Sequence, residues 1–299
     1  VTRLLAFCKD LRGSLVLAGS SMGGYVSVAG SSLLQARGMF LLALGFIQAM
    51  NSFPLGKWVM LGGFMVILYV LFGWFGRVIS ESQGGSYRDW EDLSFRYGMI
   101  WFIATEVMFF AAFFGALFYM RVISVPELGN MMSEHGTSLW PEFAGTWPTS
   151  GPKGADFTPM GAWGIPAINT ALLLSSGATV TWAHWGLLRD NRRHLILGLA
   201  ATVLLGSVFL FLQGYEYHHA YNELGLTMGA GAYGATFFML TGFHGFHVTL
   251  GTIMLLVILL RSMSGHFSAA RHFAFEGVAW YWHFVDVVWL ILFVFVYWV

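Results

Sequence analysis

The sequence predicts an all-α integral membrane protein, and its composition and its apolar runs both support this. Hydrophobic residues make up 57% of the 299 residues, charged residues only 10%, and the mean hydropathy is +0.67. A soluble domain usually carries about 25% charged residues. Apolar runs of about twenty residues recur along the chain, the length with which an α-helix crosses a hydrocarbon core about 30 Å thick.

Charge and cysteine content exclude several other classes of protein. The formal net charge is +0, so no basic surface for nucleic acid is predicted. The single cysteine, Cys8, cannot form an intrachain disulfide or a covalent haem attachment of the CxxCH type. We therefore expect no nucleic acid partner and no covalently bound haem.

The N-terminal segment, residues 1–27, has an uncertain fold. Its stretch GSSMG, from Gly19 to Gly23, fits the pattern G-x-S-x-G and resembles the nucleophile elbow of an α/β hydrolase, with Ser21 as the nucleophile. Apolar helix follows it, with no soluble sheet to carry an acid and a histidine. A serine hydrolase is therefore an alternative from another class that the rest of the chain does not favour.

Seven membrane-spanning helices are predicted from the apolar runs. The first two form a hairpin at residues 28–79, and a polar cytoplasmic connection at residues 80–96 follows it. Residues 97–299 form a five-helix bundle with a long, proline-rich, water-exposed outer loop at residues 122–160. The predicted spans are 28–50, 58–79, 97–120, 162–187, 194–215, 233–260 and 275–299.

The distribution of basic residues orients these spans. With the N-terminus in the cytoplasm and the C-terminus in the periplasm, twelve Lys and Arg residues lie on the inner side and three on the outer side, which satisfies the positive-inside rule. The three outer residues are Lys57, Arg121 and Lys153. We expect a multi-pass protein of a bacterial inner membrane.

Glu106 is the most unusual residue of the predicted spans. At about 1.5 Å per residue it lies roughly 15 Å from the Arg96 end of its helix, near the middle of the membrane. An unpaired charge at that depth is costly, and an intramembrane acid is by default a functional hypothesis. The alternative is a protonated Glu106 that makes a packing hydrogen bond to a neighbouring helix.

Two pairs of polar residues share a helical face in the last two spans. His244 and His247 are three residues apart, and so are His283 and Asp286. Such pairs could bind a metal or haem, but two pairs alone do not bring ligands from several helices to one depth. We therefore predict hydrogen-bonded polar residues, no metal site and no redox cofactor, and we group Glu216 at the outer end of the fifth span with them.

A second group is expected at the cytoplasmic surface. His184, His272 and Glu276 all lie near the inner ends of their spans. Neutral imidazoles there could exchange protons near pH 7. The hypothesis is a proton-collecting or adventitious metal-binding cluster.

Long stretches from about residue 71 to the end resemble subunit III of the haem-copper cytochrome c oxidases, of the bacterial type. They include RYGMIWFIATEVMFFAAFFGALFY, TVTWAHWGLLRDNRRH, YGATFFMLTGFHGFHVTLGT and FAFEGVAWYWHFVDVVWL. The resemblance implies seven helices, split into a two-helix hairpin and a five-helix bundle with a lipid-filled cleft. Residues up to about 40 are not expected to match the family.

The same resemblance implies a function without a catalytic residue in this chain. The subunit would bind structural phospholipid, stabilise the catalytic subunit, and support proton uptake and oxygen access. Haem and copper would belong to partner subunits. The partners implied are subunit I in direct contact, subunit II, other subunits of the complex, and cytochrome c as the electron donor.

Residue by residue, the resemblance assigns lipid contacts to Glu106 and His247, and headgroup contacts to Arg261 and His266. Trp74 on the hairpin is added to this set. Two alternatives remain for the whole chain. One is subunit III of a quinol oxidase, and the other, from a different class, is a stand-alone membrane transporter.

Overall fold

The computed structural model describes residues 29–132 and 137–298. In this part of the chain the regular structure is helical apart from two isolated β-bridges, which confirms the predicted all-α class. The N-terminal segment at residues 1–27, with the elbow-like stretch around Ser21, lies outside the described residues. The chain divides into two compact units, one ending at Gly98 and the other beginning at Met99.

Seven long helices occur in the described residues: α1 (Ala29–Met50), α2 (Gly56–Gln83), α3 (Asp89–Phe118), α4 (Ile165–Leu188), α5 (Arg192–Asn222), α6 (Gly231–Met263) and α7 (Phe273–Leu292). Helix α3 continues through a π-helical turn into Val125–Gly129, and α7 continues as the π-helical stretch Phe293–Trp298. Within the described ranges, α2, α3, α5, α6 and α7 are long and apolar enough to cross a membrane. Helices α1 and α4 form where spans were predicted but are not among these five.

The connection between α2 and α3 is shorter than predicted, because both helices extend into it. It spans only residues 84–88. Ion pairs one helical turn apart, Arg77–Glu81 and Asp92–Arg96, each at 3.0 Å, lie in these helices, and all of these residues except Arg77 were expected to be in the loop. Such pairs stabilise exposed helix by a few tenths of a kcal/mol each, about 0.2–0.5.

Tyr87 holds this short connection in place. Its hydroxyl donates a hydrogen bond to Glu81 Oε2 at 2.9 Å, and its ring packs edge-on against Phe95 with centroids 5.1 Å apart. Burial, and after it the hydrogen bond to the Glu81 carboxylate, raises the pKa of Tyr87. The phenol therefore stays protonated as a donor across the neutral range.

In the first unit, α1 and α2 pack backbone against backbone through glycines. A Cβ on Gly45 would overlap the backbone of Met60, and a Cβ on Gly63 would overlap that of Leu42. In lipid, small residues permit this close approach, and the contact between backbones then supports helix association.

The outer loop differs from its prediction in length and in exposure. Residues 122–129 are helical, so the loop begins at Asn130. It is not fully exposed to water, because Phe157 stacks on Tyr233 of α6 with centroids 5.3 Å apart, and Tyr233 N donates to Thr149 O at 3.1 Å. Met160 is 8% exposed. The described part of the loop therefore packs on the N-terminal end of α6.

The core of the second unit is built around Trp282 of α7. Its ring is fully buried, and its indole nitrogen donates to Ser176 Oγ of α4 at 2.8 Å. A Cβ added to Gly206 of α5 or to Gly251 of α6 would lie 2.8 Å from the ring. One indole thus contacts three other helices in a slot that two glycines leave open.

Candidate functional site

The structure brings Glu106 of α3 and His247 of α6 together. Glu106 Oε2 lies 2.9 Å from His247 Nε2. The side chains are 21% and 9% exposed, respectively. His247 is also the middle residue of the 33-residue helix α6, which places the pair far from both helix ends. Two residues 141 positions apart therefore satisfy each other's hydrogen bonding, far from the ends of helix α6.

The hydrogen bonds of His247 determine where its protons lie. Its Nδ1 is 2.6 Å from the carbonyl oxygen of Phe243. A carbonyl only accepts hydrogen bonds, so Nδ1 carries a proton. One further proton then lies between Nε2 and the carboxyl group, as a neutral acid donating to the imidazole or as an imidazolium donating to the carboxylate. The pair has no net charge in either form, which suits a low-dielectric surrounding.

Aromatic residues enclose this pair. The Phe110 ring packs against the His247 imidazole with centroids 5.1 Å apart. Tyr281 of α7 donates its hydroxyl hydrogen to the backbone carbonyl of His247 at 3.2 Å. Sequence reasoning did not single out Tyr281. It lies in the string FAFEGVAWYWHFVDVVWL, on which the family resemblance partly rests. No neighbouring residue in the sequence indicated that its hydroxyl would contact His247.

The predicted headgroup residues lie at the C-terminal end of α6. The Arg261 guanidinium lies over the Phe267 ring, 4.6 Å from its centroid, and its Nε is buried without a hydrogen-bond partner. His266 follows in the turn, where its backbone N–H donates to the Arg261 carbonyl at 3.1 Å, and its side chain is exposed. A cation and an imidazole thus lie within one turn of chain.

Arg192, at the start of α5, lies beside the C-terminal end of α6. It was not predicted as a site residue. Its NH2 group donates to Met263 O at 2.6 Å. Gly265, with φ of +78°, leaves room for the guanidinium, since a Cβ there would lie 2.9 Å from the Arg192 NH1 atom. The sequence showed Arg192 only as an inner positive charge, because its partner is 71 positions away.

Trp74 belongs to the first unit. It lies on α2, is half-exposed, and its ring contacts that of Phe75 with centroids 5.0 Å apart. This placement leaves a large amphipathic ring at the surface of the helix.

Two of the three predicted surface residues are in direct contact. His184 Nε2 of α4 lies 3.4 Å from His272 Nε2 at the start of α7. His272 Nδ1 lies 3.2 Å from Ser268 O, so this nitrogen is the donor and Nε2 can accept from His184. Glu276 is one turn further along α7 than His272.

The remaining polar residues of the spans have separate environments. His244 is buried, with its Nε2 3.2 Å from Val285 O of α7, so it does not converge with His247 on one ligand. Glu216 is also buried within α5 and accepts a hydrogen bond from Tyr297 at 2.6 Å. His283 and Asp286 form a pair, with Nδ1 and Oδ2 3.5 Å apart. In residues 29–132 and 137–298, no three His, Cys, Asp or Glu residues are grouped as a metal site.

A family model for cytochrome c oxidase subunit III matches residues 25–299. The match begins well before residue 40, so the expectation that residues up to about 40 fall outside the family is wrong for residues 25–40. This stretch includes Gln35 and Arg37, which make the start of the first predicted span polar and its register uncertain from the sequence.

Similar proteins agree with the family model. The chain is 43% identical over 267 residues to cytochrome c oxidase subunit 3 of Marchantia polymorpha, which covers 89% of this chain and 92% of that protein. It is 42% identical over 262 residues to the protein of the same name from Arabidopsis thaliana, covering 87% and 90%. For the Cyprinus carpio protein of that name the identity is 42% over 237 residues, covering 79% and 82%. The chain therefore belongs to the cytochrome c oxidase subunit III family.

Proposed function

We propose that this chain is the accessory, non-catalytic subunit III of a proton-pumping haem-copper terminal oxidase. The match of the family model to residues 25–299 carries the proposal. In the proposed complex, subunit I is the direct neighbour and, with subunit II, holds the haem and copper. Cytochrome c donates electrons to the complex. The relatives are named for cytochrome c oxidase, which favours this donor over quinol.

The proposed complex lies in a membrane, and the chain crosses it seven times. Five of the long helices of the described residues are apolar enough to do so, and they support the multi-pass arrangement. The other two proposed spans are α1 and α4. The bacterial inner membrane, the cytoplasmic N-terminus and the lipid-filled cleft stay predictions.

Phospholipid binding is the first proposed role of the chain itself. A guanidinium binds a phosphate through charge-assisted hydrogen bonds, and Arg261 has a buried Nε with no protein partner. Arg192 and His266 add donors at the same end of the second unit. Glu106 and His247 form the deeper part of the proposed lipid contact, beside the acyl chains, where a pair without net charge is tolerated.

Support of proton uptake is the second proposed role. His184, near the end of α4, and His272, at the start of α7, are adjacent, half-buried imidazoles, and Glu276 follows on α7. Imidazole groups can bind and release protons, and in the proposed role this cluster collects protons from the cytoplasm and passes them to the catalytic subunit.

A difference spectrum tests the proposed function. The chain is purified by affinity tag in mild detergent, and a reduced-minus-oxidised spectrum is recorded of the complex and again after the chain is separated from it. We expect haem bands in the complex that are missing from the isolated chain. Bands that remain with the isolated chain would mean that its histidines bind haem. A complex without haem bands would refute its place in an oxidase.

An Arg261→Ala variant tests the headgroup site. Loss of a charge-assisted contact to phosphate costs about 1.5–3 kcal/mol. We therefore expect the affinity of this site for phospholipid in the purified complex to fall by roughly ten- to a hundredfold. Lipid phosphorus per haem measures it during stepwise delipidation.

The matched control is Arg193→Ala, which removes an exposed guanidinium from the start of α5. Equal lipid loss in both variants would show a general charge effect and would contradict a specific site at Arg261.

A further inference from the structure

The turn that follows α6 has the hydrogen bonds of a Schellman motif. Gly265 has φ of +78°, the left-handed conformation with which many helices end. His266 N donates to Arg261 O at 3.1 Å, and Gly265 N donates to Ser262 O at 3.1 Å. In this motif an apolar contact often joins the two positions that His266 and Arg261 occupy here. The turn of this chain instead carries an imidazole and a guanidinium at them.

The same turn brings Phe267 to Arg261. The carbon atom of the guanidinium lies 4.6 Å from the centroid of the Phe267 ring. That ring is partly buried and packs against the core of the second unit, so it is a fixed support for the guanidinium. The chain reverses its direction between these two residues, at Gly265. The orientation of the Arg261 side chain therefore depends on the backbone of the turn.

Arg192 completes the hydrogen bonding of this helix end from another helix. The last four carbonyls of a helix have no partner within it. In α6, Leu260 O accepts from Ser264 N at 3.1 Å, and the next two carbonyls accept the hydrogen bonds of the turn. The last one, Met263 O, accepts from the Arg192 NH2 group at 2.6 Å. The charge of Arg192 also interacts favourably with the negative end of the helix dipole.

The Arg192 guanidinium also lies against the turn itself. A Cβ at position 265 would be 2.9 Å from the Arg192 NH1 atom and 3.2 Å from NH2. A side chain there would push the guanidinium away from Met263 O, and a positive φ would strain any residue other than glycine. Gly265 and Arg192 thus fit together only in this arrangement of the turn.

We propose that Arg192 and Gly265 are positioning residues of the proposed headgroup site. They fix the turn after α6 from which Arg261 and His266 reach a lipid phosphate. Gly265 provides the left-handed backbone, and Arg192 holds the helix end through Met263 O. Neither role requires contact with the lipid. This inference rests on the proposed function, because it needs Arg261 to bind a phospholipid headgroup.

Gly265→Ala tests the inference without removing a charge or a donor. The matched control is Gly225→Ala, where φ is +63° and a Cβ would make only an ordinary contact, 3.4 Å from Asp156 O. Both variants place alanine at a positive φ, but only Gly265→Ala displaces Arg192. The intact complex is delipidated and titrated with phosphatidylglycerol, and bound lipid phosphorus is measured per haem.

We expect the affinity for this lipid to fall by roughly three- to tenfold for Gly265→Ala and to be unchanged for Gly225→Ala. Equal affinities in the two variants would overturn the inference.

A double-mutant cycle separates positioning from direct binding. Arg192→Ala alone should weaken lipid binding by roughly threefold or more, and it should have little further effect in an Arg261→Ala background, because it acts through the turn. The same loss in both backgrounds would show that Arg192 acts only by its own contact with lipid and would overturn the inference. If Arg261→Ala itself binds lipid like the wild type, the proposed headgroup site is refuted, and the inference with it.

Discussion

A Trp282→Ala variant is expected to lose about 3–5 kcal/mol of stability, the usual cost of deleting a buried aromatic side chain. The ring is fully buried and fills the slot that Gly206 and Gly251 leave open. Its removal also leaves Ser176 Oγ without the indole donor at 2.8 Å. The apparent unfolding midpoint of the purified complex in mild detergent, followed by circular dichroism, measures the effect.

Trp163→Ala is the matched control, because Trp163 is 74% exposed. A substitution at such a surface position usually changes stability by about 0.5 kcal/mol or less. Equal shifts of the midpoint in the two variants would contradict the central packing role of Trp282.

Single and double replacements of Glu106 and His247 are expected to be strongly non-additive. Glu106→Leu leaves His247 Nε2 without its 2.9 Å partner, and His247→Leu leaves the Glu106 carboxyl group without that partner. Each unsatisfied buried group costs about 1–3 kcal/mol. The double variant leaves neither group behind and should recover most of this loss, because replacing both partners by apolar groups is often nearly neutral.

A double-mutant cycle on the unfolding midpoint measures the coupling, for which we expect about 2–3 kcal/mol. Glu106→Gln is the conservative control. Its amide can donate to His247 Nε2, so this variant should stay near the wild type. Additive losses from the two leucine replacements would show that the contact does not contribute to stability.

Much of the helical fold could be predicted from apolar runs, because the length of a helix in lipid is set by the membrane. The first and last residues of the helices were less predictable. Asp92 and Arg96 looked like loop residues by their polarity, yet they pair one turn apart and belong to α3. Phe157 and Tyr233 form their stack across 76 positions of sequence, so the packing of the outer loop on α6 had no local signal.

The candidate site was predictable in its residues and only partly in its contacts. The acid at mid-membrane drew attention to Glu106, and family resemblance added His247, but spacing alone paired His247 with His244. The structure separates those two histidines, because His244 turns to Val285 of α7. The contacts of Arg192 and Tyr281 could not be predicted, since each side chain donates to a backbone carbonyl of a distant helix.

The packing of the outer loop on α6 affects what this end of the molecule offers a partner. Thr158 N donates to Leu224 O at 2.9 Å, and Tyr233 N donates to Thr149 O at 3.1 Å, so the loop is tied to the turn before α6 and to the start of that helix. A segment without regular structure usually loses conformational entropy when it is bound. Here the part of the loop at residues 137–160 is already ordered by these contacts in the folded chain. Another protein that docks on this surface would meet a preorganised face and would lose less free energy to the ordering of the loop.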